Sequence, residues 1–262
     1  MTADARNEIL SKVPQVTLLF WIIKILATTL GETGGDAVTM SWLGETTGSG
    51  NGAGYLIGTA IFGVIFVVAV LVQIRAAKFH PFLYWLTIVA TTTVGTTLAD
   101  YCDRSLGIGY AGGSAILLTC VVASLLIWRW VTGSISVETV NTPKVEIFYW
   151  VTIMFSQTLG TALGDWVADT NHTGYLGAAT IFGSLLVVTA LLYYFTGLSR
   201  AILFWTAFIL TRPLGAVVGD FLDKPLAKGG LALSRYTASF ALVAVIIALI
   251  LIFPQKPASK AH

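Results

Sequence analysis

The sequence predicts an all-α polytopic membrane protein in which eight transmembrane helices form four repeated two-helix hairpins. Of the 262 residues, 56% are hydrophobic and 11% are charged, whereas soluble domains carry about 25% charged residues. A frame with Asp fifteen residues after Trp occurs four times, which indicates tandem repeats at about 15–75, 81–132, 145–197 and 200–253 in a single transmembrane domain, 1–262. The four frames join Trp21 to Asp36, Trp85 to Asp100, Trp150 to Asp165, and Trp205 to Asp220.

Each repeat is long enough for two membrane-spanning helices, because roughly 20 helical residues cross a hydrocarbon core of about 30 Å. The first helix of every pair carries the frame, and we expect these helices at about 15–40, 81–103, 145–168 and 200–222. The second helix is plainer and is expected at about 54–75, 109–132, 174–197 and 231–253.

One polar face recurs on the helices that carry the frame. At 100° per residue, positions 7, 8, 11, 15 and 18 after the tryptophan fall within about 100°, the width of a single helix face. In the first repeat this face holds Thr28, Thr29, Glu32, Asp36 and Thr39. Positions 10 and 14 hold glycine or alanine in every repeat, a small-xxx-small pattern that lets helices approach closely. We therefore expect four helices to pack around a shared centre on which their carboxylates converge.

The distribution of Lys and Arg predicts the orientation of the chain. Nine of these residues lie in the termini and loops of one side and three in the loops of the other. Because the side richer in Lys and Arg faces the cytoplasm, both termini are expected there. The tryptophans then lie toward the cytoplasm, and the aspartates lie about 22 Å further along each helix, in the outer half of the membrane.

With its four tryptophans, the chain resembles bacterial membrane proteins built from four tandem copies of a two-helix repeat of unknown function, each copy with a characteristic tryptophan. Trp21, Trp85, Trp150 and Trp205 match that residue, and the resemblance covers residues 15–254. It implies a multi-pass protein of the bacterial inner (plasma) membrane. It implies no established activity, so the function has to be inferred from the polar face.

The acidic residues of this face are candidate metal ligands, namely Glu32, Asp36, Asp100, Asp165 and Asp220. A charged group deep in a bilayer costs about 2.5–3.5 kcal/mol on insertion scales, so such residues usually mark ion or substrate pathways. Against Lys24 and Arg212, the five acids leave three negative charges without partners, which implies bound protons or metal ions. Alternatively, each aspartate lies at a helix end near the outer water and pairs with Arg104, Lys224 or Arg235.

Two basic residues within the helices allow two interpretations each. Lys24 is either an internal counter-ion for the carboxylates or a side chain that reaches back to the cytoplasmic surface. Arg212 either closes the cytoplasmic end or holds a carboxylate, and Pro213 after it is expected to kink the helix. The four tryptophans are expected to be packing or interface anchors rather than ligands.

These observations predict a transporter of a small hard cation, with Mn²⁺ or Mg²⁺ favoured, coupled to protons through the intramembrane carboxylates. Carboxylate, hydroxyl and carbonyl oxygens suit such ions, and the repeat positions offer no Cys or His. The expected partners are the cation and the lipid bilayer. Nucleic acid is not expected, because the net charge is only +2. Neither a cofactor nor enzymatic activity is expected. The alternatives are an organic-cation transporter that uses the tryptophans, a membrane enzyme acting on a lipid-linked substrate, and a non-transporting scaffold.

Overall fold

A computed structural model describes residues 11–45, 52–170 and 173–258. This part of the chain contains eight long α-helices and no β-strand beyond an isolated bridge between Pro14 and Pro257. The first helix of each repeat is α1 (Leu18–Asp36), α3 (Pro81–Asp100), α5 (Pro143–Asp165) and α7 (Arg200–Asp223). The second is α2 (Ala53–Arg75), α4 (Tyr110–Thr132), α6 (Gly174–Phe195) and α8 (Arg235–Ile252). The predicted order of four helix pairs is confirmed, and no helix begins or ends more than four residues from its expected position.

The first three repeats share a change of helix type at the aspartate of the frame. Directly after Asp36, Asp100 and Asp165 the chain continues as π-helix, over Ala37–Trp42, Tyr101–Ser105 and Trp166–Thr170. In the fourth repeat the α-helix itself continues beyond Asp220 to Asp223. None of the four aspartates therefore stands at a free helix end. The interpretation that placed each aspartate at a helix end is wrong in this respect.

Within the described ranges, seven helical segments are long and apolar enough to cross a membrane, one fewer than the eight expected. The exception is α5, because polar residues interrupt its apolar sequence throughout: Lys144 and Glu146 lie in its first turn, and Gln157 and Thr158 near its middle. The polar residues of α5 are mostly buried against other helices. Its low hydropathy thus reflects a position inside the bundle.

Four helices form the inner part of the bundle. Each of α1, α3, α5 and α7 packs against two others of this set, in the cyclic order α1, α3, α5, α7 and back to α1. The second helices lie outside this ring, with α2 on α3, α4 on α5, α6 on α7 and α8 on α1. The apolar segments of the outer helices are only 17–28% buried, against 56–72% for α1, α3 and α7.

Glycine makes the close contacts that close the ring. A methyl group added to Gly31 would collide with Thr92, one on Gly95 with Gln157, one on Gly160 with Arg212, and one on Gly215 with Thr28. Each of these glycines stands ten residues after the tryptophan of its own repeat. The residue that it faces stands seven residues after the tryptophan of the next repeat around the ring. The repeated small-xxx-small pattern therefore produces four equivalent helix contacts, as predicted.

Aromatic side chains fill one end of the ring, which we call the tryptophan end. Trp85, Trp150 and Trp205 are 1–2% exposed and pack among neighbouring rings, which confirms their predicted packing role; Trp21 is only partly buried. At the same end, the segment before α1 pairs with the segment after α8: Gln15 N donates to Lys256 O (2.9 Å) and Ala258 N donates to Val13 O (2.8 Å). The opposite end, where the frames finish, is the aspartate end.

Replacing Gly95 with leucine should destabilise the ring. A side chain there would place its Cβ 3.0 Å from the backbone of Gln157 and Thr158, and backbone cannot move aside cheaply. We expect a loss of about 1–3 kcal/mol in the free energy of unfolding, as for other overpacked sites. Thermal unfolding in detergent measures this effect, with Gly183→Leu as the control because no atom lies within 4 Å of its added Cβ. Equal melting temperatures for the two variants would contradict the glycine contacts.

Candidate functional site

Buried residues at four repeated positions form successive layers across the middle of the ring. Positions 3, 7, 11 and 15 after each tryptophan are 0–3% exposed on all four helices, and successive layers lie about 6 Å apart at 1.5 Å per residue. We name them by their most prominent member. The lysine layer is Lys24, Ile88, Ile153 and Phe208; the arginine layer is Thr28, Thr92, Gln157 and Arg212; the glutamate layer is Glu32, Thr96, Thr161 and Ala216; the aspartate layer is Asp36, Asp100, Asp165 and Asp220.

The guanidinium group of Arg212 lies on the axis of the ring. Both terminal nitrogens of this α7 side chain lie 3.1 Å from Glu32 Oε2 on α1. One of them also donates to the hydroxyl groups of Thr96 on α3 and Thr161 on α5, each at 2.5 Å. A single side chain thus contacts the three other helices of the ring. Of the two interpretations of Arg212, the structure supports the one in which it holds a carboxylate.

The aspartate layer is divided into two ion-paired halves. Lys224, which follows the end of α7, contacts both Asp36 and Asp220, with its Nζ 3.0 Å from Asp220 Oδ1. Arg104 pairs with Asp100 (3.1 Å) and with Asp165 (2.7 Å). The four aspartates therefore meet at one level of the ring, but each basic residue binds its own pair of them.

The carboxylates keep Lys224 charged. Burial alone would lower the pKa of its amino group, but the neighbouring carboxylates of Asp220, Asp36 and Asp223 raise the pKa well above its usual value. A positive charge is thereby fixed between Asp36 and Asp220 at neutral pH. Any other cation that used these two carboxylates would have to displace the Lys224 ammonium.

Arg104 and Lys224 correct the charge balance expected from the sequence. That count set five acids against Lys24 and Arg212 and left three charges without partners, because both Arg104 and Lys224 fell in predicted loops. The structure places them on the aspartate layer, and Arg235 Nε lies 3.9 Å from Asp36 Oδ2, so the five carboxylates have four basic partners. The pairing itself follows the alternative interpretation, although the aspartates are buried and not at the outer water. The spacing of four residues from Asp100 to Arg104 and from Asp220 to Lys224 was the available signal.

Three of the five candidate ligands come together. One carboxylate oxygen each of Glu32, Asp36 and Asp220 lies within 4.8 Å of the other two. We call these three residues the carboxylate cluster. Asp36 Oδ1 is buried and accepts no hydrogen bond from the residues the structure describes. The remaining candidates, Asp100 and Asp165, are not part of this cluster and belong to the Arg104 pair.

Lys24 does not reach the surface. Its side chain is completely buried, and its Nζ lies 4.1 Å from the centre of the Phe208 ring. In the described ranges this nitrogen has no hydrogen-bond partner, so it is not the counter-ion of Glu32, which Arg212 holds instead. Both interpretations of Lys24 drawn from the sequence were therefore wrong: the amine neither reaches the cytoplasmic surface nor pairs with a carboxylate.

A comparison with known families identifies the same repeats. The family model described as Repeat of Unknown Function (DUF347) matches residues 19–79, 83–134, 148–199 and 203–254. Each matched segment contains one frame from tryptophan to aspartate. No curated protein and no solved structure matches the chain significantly.

Proposed function

The chain belongs to the family of this repeat, to which no function is assigned, and from its buried carboxylates we propose that the protein transports a small hard cation across a membrane, with Mn²⁺ or Mg²⁺ favoured. The observation that carries the proposal is the carboxylate cluster, which is buried within the glutamate and aspartate layers inside a ring of four helices.

The spacing of the cluster suits a small divalent cation. Oxygens bound to an octahedral Mg²⁺ at 2.0–2.1 Å lie about 3 Å apart when adjacent and about 4.2 Å apart when opposite, so oxygens now within 4.8 Å of one another would each need to move by roughly 1 Å. The hydroxyl group of Thr96, 3.3 Å from Glu32 Oε2, is a further oxygen of the kind that these ions bind. Hard oxygen ligands favour Mg²⁺ or Mn²⁺ over softer metals.

Arg212 and Lys224 act in this proposal as internal counter-ions. Arg212 pairs with Glu32 and Lys224 with Asp36 and Asp220 in the present arrangement, and the two charges of a transported divalent cation take the place of these two positive charges. Such exchange avoids leaving carboxylates unpaired in a medium of low dielectric constant, which would be costly. Proton exchange within this buried site couples cation movement to a proton gradient.

The inorganic cation is favoured over an organic one by the packing of the tryptophan end. The ring centres of Trp85 and Tyr84 lie 5.2 Å apart and those of Trp205 and Trp128 lie 5.7 Å apart, so these indoles already pack edge-to-face with neighbouring rings. An organic cation bound through cation–π contacts would have to separate this aromatic core.

The proposed membrane arrangement is that of a multi-pass protein of the bacterial inner membrane with eight spans and both termini in the cytoplasm. α5 crosses as the fourth member of the inner ring despite its lower hydropathy. Reporter fusions at Gly107 and Lys228 should then report an external location, and fusions at Lys78, Val140 and Ser199 an internal one. An external signal at Val140 together with an internal one at Lys228 would show that the orientation is the opposite of the one proposed. Different locations for the three sites expected to be internal would contradict the eight-span arrangement.

A metal titration of the purified protein tests the cation site. We expect the wild type to bind Mn²⁺ or Mg²⁺, and Asp36→Asn to bind it at least about ten-fold more weakly, a loss of about 1.4 kcal/mol or more, because one charged ligand is gone. Asp169→Asn is the control, since Asp169 is an exposed carboxylate of the same end. Absence of binding by the wild type, or equal affinities of the wild type and Asp36→Asn, would favour a non-transporting scaffold held together by its ion pairs.

A further inference from the structure

The amine of Lys24 differs from the other buried basic groups of the axis. Arg104, Arg212 and Lys224 each contact a carboxylate, whereas Lys24 Nζ has no hydrogen-bond partner within the described part of the chain and faces a phenyl ring. A phenyl ring attracts an ammonium ion but compensates only part of its lost hydration. Whether Lys24 carries a proton must therefore depend strongly on the charges close to it.

One charged group acts on Lys24 from the helices packed around it. α1 contacts α3, α7 and α8, and the ring places α5 across the axis. From α3 and α5 the lysine layer receives Ile88 and Ile153, and the buried residues of α8 are apolar. From α7 it receives Phe208 and, one layer toward the aspartate end, the positive charge of Arg212. The uncharged hydroxyl groups of Tyr84 and Tyr149 lie on the other side, toward the tryptophan end.

We propose that Lys24 exchanges one proton for each cation bound at the carboxylate cluster, with Arg212 linking the two events. This inference rests on the proposed function and deepens it, because it moves one coupling proton from the carboxylates to an amine about 12 Å along α1 from Glu32.

Cation binding is coupled to the protonation of Lys24 because Arg212 and the cation compete for the same carboxylate, that of Glu32. While Arg212 is bound to Glu32, the carboxylate offsets part of the guanidinium charge, and in this proposal Lys24 holds its proton in that arrangement. A cation that takes Glu32 leaves Arg212 without that partner, so its full positive charge acts on the amine one layer away. Two positive charges at that distance in a buried site repel strongly. The Lys24 ammonium then gives up a proton, and the electron pair of the broken N–H bond stays on Nζ. When the cation leaves, Arg212 returns to Glu32 and Lys24 takes up a proton.

A hydroxyl pair offers the released proton a route to the tryptophan end. Tyr84 and Tyr149 stand one layer beyond the lysine layer, both are completely buried, and their oxygens are 2.6 Å apart. In this route, a proton accepted by one hydroxyl is balanced by a proton that the other passes on toward the tryptophan end. The hydroxyl groups thus carry the proton without a lasting change in their own charge.

Proton release on metal binding tests this inference. MnCl₂ is added to purified protein in weak buffer, and a pH-indicator dye reports the protons released per bound Mn²⁺. We expect the wild type to release about one proton more than Lys24→Met, whose side chain has similar length but cannot carry a proton. Lys24→Arg should also lack this proton, and it should bind Mn²⁺ at least about ten-fold more weakly because its charge cannot leave. Ile88→Met, a change in the same layer, should behave as the wild type.

Equal proton release by the wild type and Lys24→Met would place the exchange at the carboxylates and overturn this inference, while the proposed function would stand. Failure of the wild type to bind Mn²⁺ would overturn both. Should Lys24→Met not fold, Lys24→Arg decides: normal affinity and normal proton release in that variant would also refute the role of Lys24.

Discussion

Arg212→Met should lower the free energy of unfolding by about 3–5 kcal/mol, the usual cost of removing one partner from a buried ion pair. The guanidinium group is completely buried and holds Glu32 while it joins α7 to α3 and α5 through two threonines. Without it, the Glu32 carboxylate is left uncompensated between four helices. Methionine fills much of the same space without a charge, so the loss reports mainly on the ion pair. Chemical or thermal unfolding in detergent measures the effect.

The double variant Arg212→Met/Glu32→Gln distinguishes this cause from poor packing. When both charges are removed, much of the lost stability should return, because a neutral pair no longer requires compensation. Arg200→Met, at the exposed start of the same helix, should leave the stability nearly unchanged. An equal loss in the single and double variants would show that the ion pair is not the source of the instability.

Lys224→Met should make the protein more dependent on the cation. Lys224 holds Asp36 and Asp220, two of the three members of the carboxylate cluster, and competes with any cation for them. Without its ammonium group the metal-free protein should melt at a lower temperature, and Mn²⁺ should bind at least about ten-fold more tightly and raise the melting temperature more than in the wild type. Melting curves recorded over a range of Mn²⁺ concentrations provide both quantities.

Lys228→Met is the matched control, because Lys228 is an exposed lysine four residues further along the chain. It should change neither the melting temperature nor the Mn²⁺ affinity. Weaker Mn²⁺ binding in Lys224→Met than in the wild type would contradict the role of Lys224 as a counter-ion that the cation replaces.

The architecture could be predicted from the sequence because the repeats impose it. Gly31, Gly95, Gly160 and Gly215 occupy one position in four similar helices, and four equivalent contacts close into a ring. The polar face beside the glycines then has to point to the centre of that ring. This reasoning also placed Glu32 and the aspartates inside the bundle correctly.

The partners of these acids could not be predicted in the same way, because the repeats differ at the basic residues. Arg104 and Lys224 each stand four residues after an aspartate, but only the packing of neighbouring helices decides that they also reach Asp165 and Asp36. The position of Arg212 on the axis depends likewise on the space left by Gly160 of the adjacent helix. The α-to-π change after the aspartates has no comparable signal in the sequence.

Cation flux through the purified protein in proteoliposomes tests the central claim most directly. Vesicles containing wild-type protein should take up Mn²⁺ or Mg²⁺ faster than protein-free vesicles, and uptake should respond to an imposed pH gradient. Asp36→Asn and Asp220→Asn should lose most of this uptake although they remain folded, whereas Asp169→Asn should retain it. Flux through the two cluster variants equal to that of the wild type, or no flux of any hard cation through the wild type, would contradict the proposal that these carboxylates form a transport site.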